Sequence, residues 1–261
     1  MDEVLALRDV GVRRGTTWIL SGITWTVRLG EQWVVLGPNG AGKSTLLSIA
    51  GARLFPTEGT VEILGELLGR TDTAELKTRL GVVGAGSPAI PARERVRDAV
   101  VTAAYGITGR WREAYAPEDL ARAEALLHRL GIAELADRRY GTLSDGERKR
   151  TQIARALMTD PELCLWDEPA AGLDLGAREE LLARLTRMAT DPWAPATILV
   201  THHVEEIPPG TTHALLLRGG ESVAMGRLEE ALSDDALTRA YGVPIRVHRV
   251  GERWTAQASG A

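Results

Sequence analysis

Lys43 and Ser44 stand near the end of a nine-residue run, Gly37-Pro38-Asn39-Gly40-Ala41-Gly42-Lys43-Ser44-Thr45, that fits the pattern G-x-x-x-x-G-K-[ST]. Each residue type has a task in holding a polyphosphate. Glycines let successive backbone N–H groups curl around phosphate oxygens. The start of the helix that follows adds the positive end of its dipole. The Lys43 ammonium is suited to the β- and γ-phosphates, and the Ser44 hydroxyl to a Mg²⁺ ion. Far downstream, Asp167 and Glu168 form an acidic pair after the apolar run Leu163-Cys164-Leu165-Trp166. The first carboxylate suits Mg²⁺, directly or through water. The second suits a base that polarises a water for attack on the terminal phosphate.

These groups work only if strands and helices aim them. Trp33-Val34-Val35-Leu36 is the short apolar run of a buried parallel strand. Leu46-Leu47-Ser48-Ile49-Ala50 continues as a helix, and Gly51 stands where a helix-ending glycine sits. Asp167 and Glu168 then fall at the carboxyl edge of a parallel sheet, where such sheets bind ligands. Further strands are expected over residues 80–83, 197–201 and 214–217, with a helix over residues 176–189. Strands alternating with helices imply an α/β fold whose mostly parallel sheet is covered on both faces.

Other stretches read differently. Residues 4–8 read as a strand, 11–17 as a polar turn, and 23–28 as an alternating, half-buried antiparallel strand. A turn at 56–59 precedes a strand at 60–63, and Asp72 is placed to cap a short helix over 73–79. From Ala85 to about Gly141 helical periodicity replaces the strand signal, with helices expected over 94–105 and 118–130. In the second, Leu120, Ala123, Leu126, Leu127 and Leu130 recur at the helical period and read as the lining of a small core. The loop between them carries Trp111 and Tyr115, aromatics that either mark a docking surface or fold back on their own subdomain. Past Gly226 come one or two helices, one strand over 245–250 and a frayed end at 258–261.

Composition bounds the setting. The net charge of -4 argues against a nucleic-acid or anionic-membrane binder. No run approaches the ~18 apolar residues that span a bilayer. Met1-Asp2-Glu3-Val4 lacks the basic-then-apolar pattern of a signal peptide. The single cysteine, Cys164, has no internal partner and reads as core. A cytosolic protein, free or peripherally attached, is expected.

With the acidic pair in place, the chain resembles the nucleotide-binding subunit of ATP-binding cassette (ABC) transporters over nearly its whole length. Leu143-Ser144-Asp145-Gly146-Glu147 is similar to that family's LSGGQ-type signature, with Asp145 and Glu147 as variants. Residues 163–168 match its extended Walker B strand, Ala171-Gly172-Leu173-Asp174 its D-loop, and Val200-Thr201-His202 its switch-histidine motif. The resemblance implies an α/β fold of the P-loop NTPase (RecA-like) kind, with a mostly parallel sheet, an antiparallel β subdomain and an inserted α-helical subdomain. It places an ABC ATPase domain over 1–240 (core 1–84 and 159–226, helical subdomain 85–158) and a C-terminal tail over 241–261. It implies a Mg²⁺-dependent ATPase with Glu168 and His202 as catalytic residues and Asp167 and Ser44 as Mg²⁺ ligands.

Further implications concern partners. Ser144, Asp145, Gly146 and Glu147 meet the γ-phosphate held by a second copy of the chain, in a head-to-tail dimer with Asp174 at the seam. A separate transmembrane permease is the other partner, with the subunit peripheral on the cytoplasmic face of the membrane and no direct DNA binding. The resemblance over 156–180 and the overall length look closest to importer subunits of the iron-chelate, vitamin B12 and molybdate kind. His203 has no family match and reads as an exposed helix-start residue. The alternative is a permease-independent soluble ABC ATPase acting on nucleic acid or ribosomes; one cassette, no sustained heptads and an acidic balance disfavour it.

Two family positions depart from the pattern. The aromatic residue that stacks on adenine falls on Arg14, with Trp18 nearby; a guanidinium can also stack on a base. The glutamine that touches Mg²⁺ and the attacking water falls on Ala85, in Gly84-Ala85-Gly86-Ser87-Pro88, where the Ser87 hydroxyl can take part of its role.

Overall fold

The computed structural model describes residues 3–259. The chain opens with a hairpin, β1 (Glu3–Arg14) and β2 (Thr17–Arg28), then runs β3 (Gln32–Leu36), α1 (Lys43–Ala50), β4 (Glu58–Ile63), β5 (Glu66–Leu67), α2 (Thr73–Thr78) and β6 (Leu80–Val83). Three helices follow: α3 (Val96–Val101), α4 (Pro117–Arg129) and α5 (Asp145–Ala156). The chain then returns to strand-helix alternation with β7 (Leu163–Asp167), α6 (Leu175–Ala189), β8 (Ala196–Val200), β9 (His213–Arg218) and β10 (Glu221–Arg227). It closes with α7 (Leu228–Ala231), α8 (Asp234–Tyr241), β11 (Ile245–Val250) and β12 (Arg253–Ala258).

One six-stranded sheet, ordered β10-β9-β3-β8-β7-β6, carries the site. Its strands are parallel except β10, which runs antiparallel at the edge. Alternation along β3 shows how it is covered: Val34 and Leu36 enter one apolar core, Trp33 and Val35 the other. In β7, Cys164 and Trp166 face the first core and Leu163 and Leu165 the second. A strand buried on both faces reads as an unbroken apolar run, which is why these strands were visible in the sequence. Cys164 is fully buried, and burial holds its thiol far above the ordinary range, in keeping with a packing role.

The antiparallel sheet, ordered β2-β1-β4-β5, packs its inner face against the second core. Here the expected turn over 11–17 is corrected: β1 continues to Arg14 and only Gly15 and Thr16 lie between it and β2. Val10 and Val12 are buried, but register shifts between Leu7 and Arg13 break the clean alternation that announces a strand. Asp72 does cap α2, accepting from the Ala74 amide at 2.7 Å.

The helical segment packs around buried Ala123, Leu126, Leu127 and Leu130, whereas Leu120 is 46% exposed and lies outside that core. It lies in the first turn of α4, beyond the edge of the packed face, so periodicity alone carries the core one turn too far. The two loop aromatics take different fates. Tyr115 is buried and stacks on Tyr105 at 5.1 Å, while Trp111 is 81% exposed. Arg155 of α5 anchors the segment, donating to Ala99 O, Thr102 Oγ1 and Ile107 O.

The strand expected over 245–250 is β11, and the rest of the tail is a second correction. Residues 245–258 form a complete antiparallel hairpin, and Ser259 donates to Pro244 O at 3.0 Å. Ile245, Val247, Trp254 and Ala256 lie on the apolar core, separated by Arg, His, Thr and Gln that mask the period in sequence. Of the expected frayed end, Gly260 and Ala261 lie outside the described residues, as do Met1 and Asp2.

Candidate functional site

The glycine loop joins the carboxyl end of β3 to the start of α1. Gly42 has φ +100°, and a Cβ there would meet Leu20 Cδ2 at 2.6 Å and Ile19 O at 2.9 Å. Only glycine lets β2 press on the loop so closely. No side chain caps α1, so its leading N–H groups are open to an anion. Lys43 Nζ is buried and donates to Gly37 O (2.6 Å) and Pro38 O (3.1 Å). Burial lowers its pKa, against the pull of Glu168 and Asp167 in the other direction. An ammonium held on two loop carbonyls is placed to exchange them for phosphate oxygens. Gly40, with nothing within 4 Å of its Cβ position, leaves the rim of the loop open.

Two strands away, β7 ends on Asp167. Ser44 Oγ donates to Asp167 Oδ1 at 3.4 Å, so the expected Mg²⁺ ligands meet across 123 residues. Among the described residues no cluster of three or more His, Cys, Asp or Glu could cage a metal. One hydroxyl and one carboxylate fit Mg²⁺ instead, an ion that keeps waters and phosphate oxygens as its other ligands.

Burial, and then the neighbouring Glu168 carboxylate, hold the Asp167 carboxyl above its ordinary range; Ser44, Arg53 and Lys43 pull less strongly the other way. A carboxyl whose pKa is raised by folding contributes stability that is present below its unfolded-state pKa and lost as pH rises through the folded-state value. Asp167→Asn should therefore raise the melting temperature of the nucleotide-free protein at neutral pH. The gain should vanish on acidification below the ordinary carboxylate range, as thermal melts across pH will record.

Glu168 sits in the left-handed region, φ +47°, with its N–H held by Val200 O at 2.9 Å. Such strain in a non-glycine residue persists where neighbours impose it, and it is concentrated at functional sites. Its Oε1 lies 3.1 Å from His202 Nδ1. The adjacency of β7 and β8 brings the two together, since Asp167 and Val200 are partners in register. His203 is exposed at the start of a short 3-10 turn, and its ring packs on His202 at 4.0 Å.

The loop after β6 lies against the same edge. Gly84 has φ +122°, and a Cβ there would meet Asp167 Cβ at 2.5 Å and its carbonyl at 2.8 Å. Gly84→Ala should destabilise the fold by about 1–3 kcal/mol and displace Asp167; a thermal melt and a Mg²⁺-dependence curve check both effects. Ser87 Oγ accepts from the Gly84 amide and donates to Val82 O, each at 2.9 Å, so its hydroxyl closes the turn. Ala85 brings no polar side chain. Arg53, which sequence reasoning passed over, projects under Gly86, where a Cβ would overlap its guanidinium. Its Nη1 is buried without a hydrogen-bond partner, and its charge acts on Asp167. A lone cation in Gly51-Ala52-Arg53-Leu54 was the one available signal.

Other expected site residues lie apart. Ser144 caps α5 in a capping box: its amide donates to Glu147 Oε2 at 2.7 Å and its Oγ accepts from the Glu147 amide at 3.4 Å. Asp145 pairs with Arg148, and Gly146 packs against Ala177 of α6. Asp174 caps α6, accepting from the Ala177 amide at 2.8 Å. Among the described residues no hydrogen bond or ion pair joins 144–147 to 37–45. Arg14 ends β1, exposed at the hairpin tip, and the guanidinium over the Trp18 ring, at 5.6 Å, is that of Arg13. Asn39, Ala41 and Thr45 belong to the loop and the first turn of α1.

Residues 20–171 match the family described as ABC transporter. The chain is 42% identical over 247 residues to the uncharacterized ABC transporter ATP-binding protein YlmA of Bacillus subtilis, covering 94% of this chain and 93% of that one. It is 34% identical over 227 residues to the phosphonates import ATP-binding protein PhnC of Polaromonas sp., covering 85% and 81%. Among solved structures it is similar to cbiO1 of Clostridium perfringens, part of the ABC transporter complex cbiONQ, with TM-score 0.77 at 25% identity over 92% and 94% of the two chains. It is similar also to the ADP conformation of an ATP-binding cassette of an ABC transporter, with TM-score 0.75 at 25% identity over 88% and 93%.

Proposed function

The chain belongs to the ABC transporter family as an ATP-binding subunit, and on that premise we propose that it hydrolyses Mg-ATP to energise a separate membrane permease. The observation that carries the reading is the convergence at one sheet edge of the Lys43 ammonium, the Ser44–Asp167 pair and the Glu168–His202 pair. Residues 37–45 wrap the phosphates with backbone N–H groups, and Lys43 leaves Gly37 O and Pro38 O for the β- and γ-oxygens. Ser44 and Asp167 would hold Mg²⁺, which would neutralise charge on the phosphates. Glu168 accepts a proton from water as the new O–P bond forms and the bond to ADP breaks. His202, oriented through Nδ1 by Glu168, presents Nε2 to the γ-phosphate.

Ser144, Asp145, Gly146 and Glu147 act on a second copy of the chain. Among the described residues no hydrogen bond or ion pair ties them to the loop of the same chain, yet they open a helix whose N-terminus suits an anion. A head-to-tail dimer supplies each loop with the other copy's signature, and Asp174 lies at the seam. Arg14, or Trp18 with the Arg13 guanidinium over its ring, is the group available to stack on adenine.

The permease partner is supported by the relatives. One is an import ATP-binding protein and another is part of a transporter complex. No helix among the described residues is long and apolar enough to cross a membrane. Attachment is to the cytoplasmic face, where ATP is available. Affinity capture of the full chain from detergent-solubilised membranes tests this reading. A multi-span membrane protein that stimulates its ATPase activity supports it; co-purified RNA with no such protein overturns it.

A further inference from the structure

Tyr241 has no part in the chemistry described above, yet its hydroxyl reaches the site. It is the last residue of α8, which Ser233 caps at one end and which Gly242, in the left-handed conformation, terminates at the other. Ala236, Leu237 and Ala240 bury the inner face of that helix in the core under the sheet. From this anchored helix the Tyr241 hydroxyl donates to His202 O at 3.1 Å. The Gly37 backbone, at the first residue of the phosphate loop, acts on the Tyr241 phenol as well and offsets part of the effect of burial. Burial pushes the phenol up to about 12, which keeps the donor protonated at neutral pH.

The segment after His202 is held from the same side. Glu205 Oε1 accepts from the Ala256 amide at 3.2 Å and the Thr255 hydroxyl at 3.4 Å. Arg253 donates to Glu205 O and pairs with Glu179 of α6 at 2.8 Å. The C-terminal helix and hairpin thus brace the turn over 202–206 against the core. His202 has only its neighbours to set its ring 3.1 Å from Glu168, because it lies beyond the end of β8.

We infer that Tyr241 is a positioning residue for ATP hydrolysis, its hydroxyl fixing the His202 backbone so that the imidazole meets both Glu168 and the γ-phosphate. The inference rests on the ATPase reading above. It differs from a packing role in one respect: its effect must pass through His202.

The test compares Tyr241→Phe, which keeps the ring and removes the hydroxyl, in two backgrounds. In the full-length wild-type background Tyr241→Phe should lower kcat about three- to tenfold, the worth of one hydrogen bond, with KM for ATP unchanged and a melting temperature lowered by no more than about 2–4 °C. In His202→Ala it should change the rate by less than about 1.5-fold, since the coupled partner is gone. Single-turnover assays with excess protein keep the slow variants measurable. Wild-type kcat in Tyr241→Phe overturns the inference, and so does an equal loss in both backgrounds. Absence of hydrolysis by the wild-type chain, with its permease present, removes the ATPase reading itself and this inference with it.

Discussion

Glu168→Gln is expected to lower ATP turnover by about 10²–10⁴-fold and to leave ATP binding intact. The loss follows from the position of the carboxylate at the end of β7, beside Asp167 and 3.1 Å from His202 Nδ1. The amide is isosteric and accepts the same N–H, so the ring is still oriented, but it takes no proton from water. Binding persists because the groups proposed to hold phosphate and Mg²⁺ are elsewhere: Lys43, Ser44, Asp167 and the loop amides. The backbone bond from Glu168 N to Val200 O is also kept, so the left-handed turn survives the substitution. Steady-state phosphate release and equilibrium ATP binding on the same preparation check both halves. Unchanged turnover would remove Glu168 from the chemistry.

Lys43→Ala acts at the other end of the reaction. Affinity for ATP should fall by about 10- to 150-fold, the range of a charge-assisted hydrogen bond. The ammonium is buried and already pays desolvation, so its interaction with a triphosphate is little screened. The substitution has a second consequence, because Gly37 O and Pro38 O lose their donor. A stability loss of about 1–3 kcal/mol accompanies the loss of affinity. Denaturant titration measures the first and calorimetric ATP titration the second. Normal ATP affinity in this variant would contradict the phosphate-loop reading.

How much of this was legible depends on the range of each contact. The phosphate loop declares itself locally: an apolar strand, glycines that permit positive φ, then a helix, all within residues 33–51. The parallel strands were equally plain, since burial on both faces leaves no polar residue to break the run. The meeting of Ser44 with Asp167 required strand order, which the arrangement of family motifs implied and no spacing could. Strands with one wet face were harder. Bulges hid β1 beyond residue 8, and Arg, Thr and Gln hid β12, although its partner β11 was read over 245–250. Leu120 fitted the helical period but lies past the edge of its core.

Arg53 and Tyr241 show the remaining limit. Arg53 lies in the turn after α1 and Tyr241 at the end of α8, each an isolated residue with no motif of its own. Arg53 becomes notable only when Gly86 is found over its guanidinium and Asp167 within its field. Tyr241 becomes notable only when His202 is found 39 positions away at hydrogen-bond distance. Ala85 is the reverse case: the sequence marked a missing glutamine, and the fold surrounds that loop with a cation and a hydroxyl committed to the turn.

The central claim is that the loop at 37–45 is half a site, completed by Ser144 to Glu147 of a second copy. Sedimentation of Glu168→Gln with ATP and Mg²⁺ tests it most directly, because bound ATP is then not consumed. The expected mass is that of two chains holding two ATP, reverting to one chain when ATP is withheld or when Ser144→Arg is added. A monomer that binds ATP tightly across the full concentration range, or a dimer indifferent to both ATP and Ser144→Arg, would contradict the composite site.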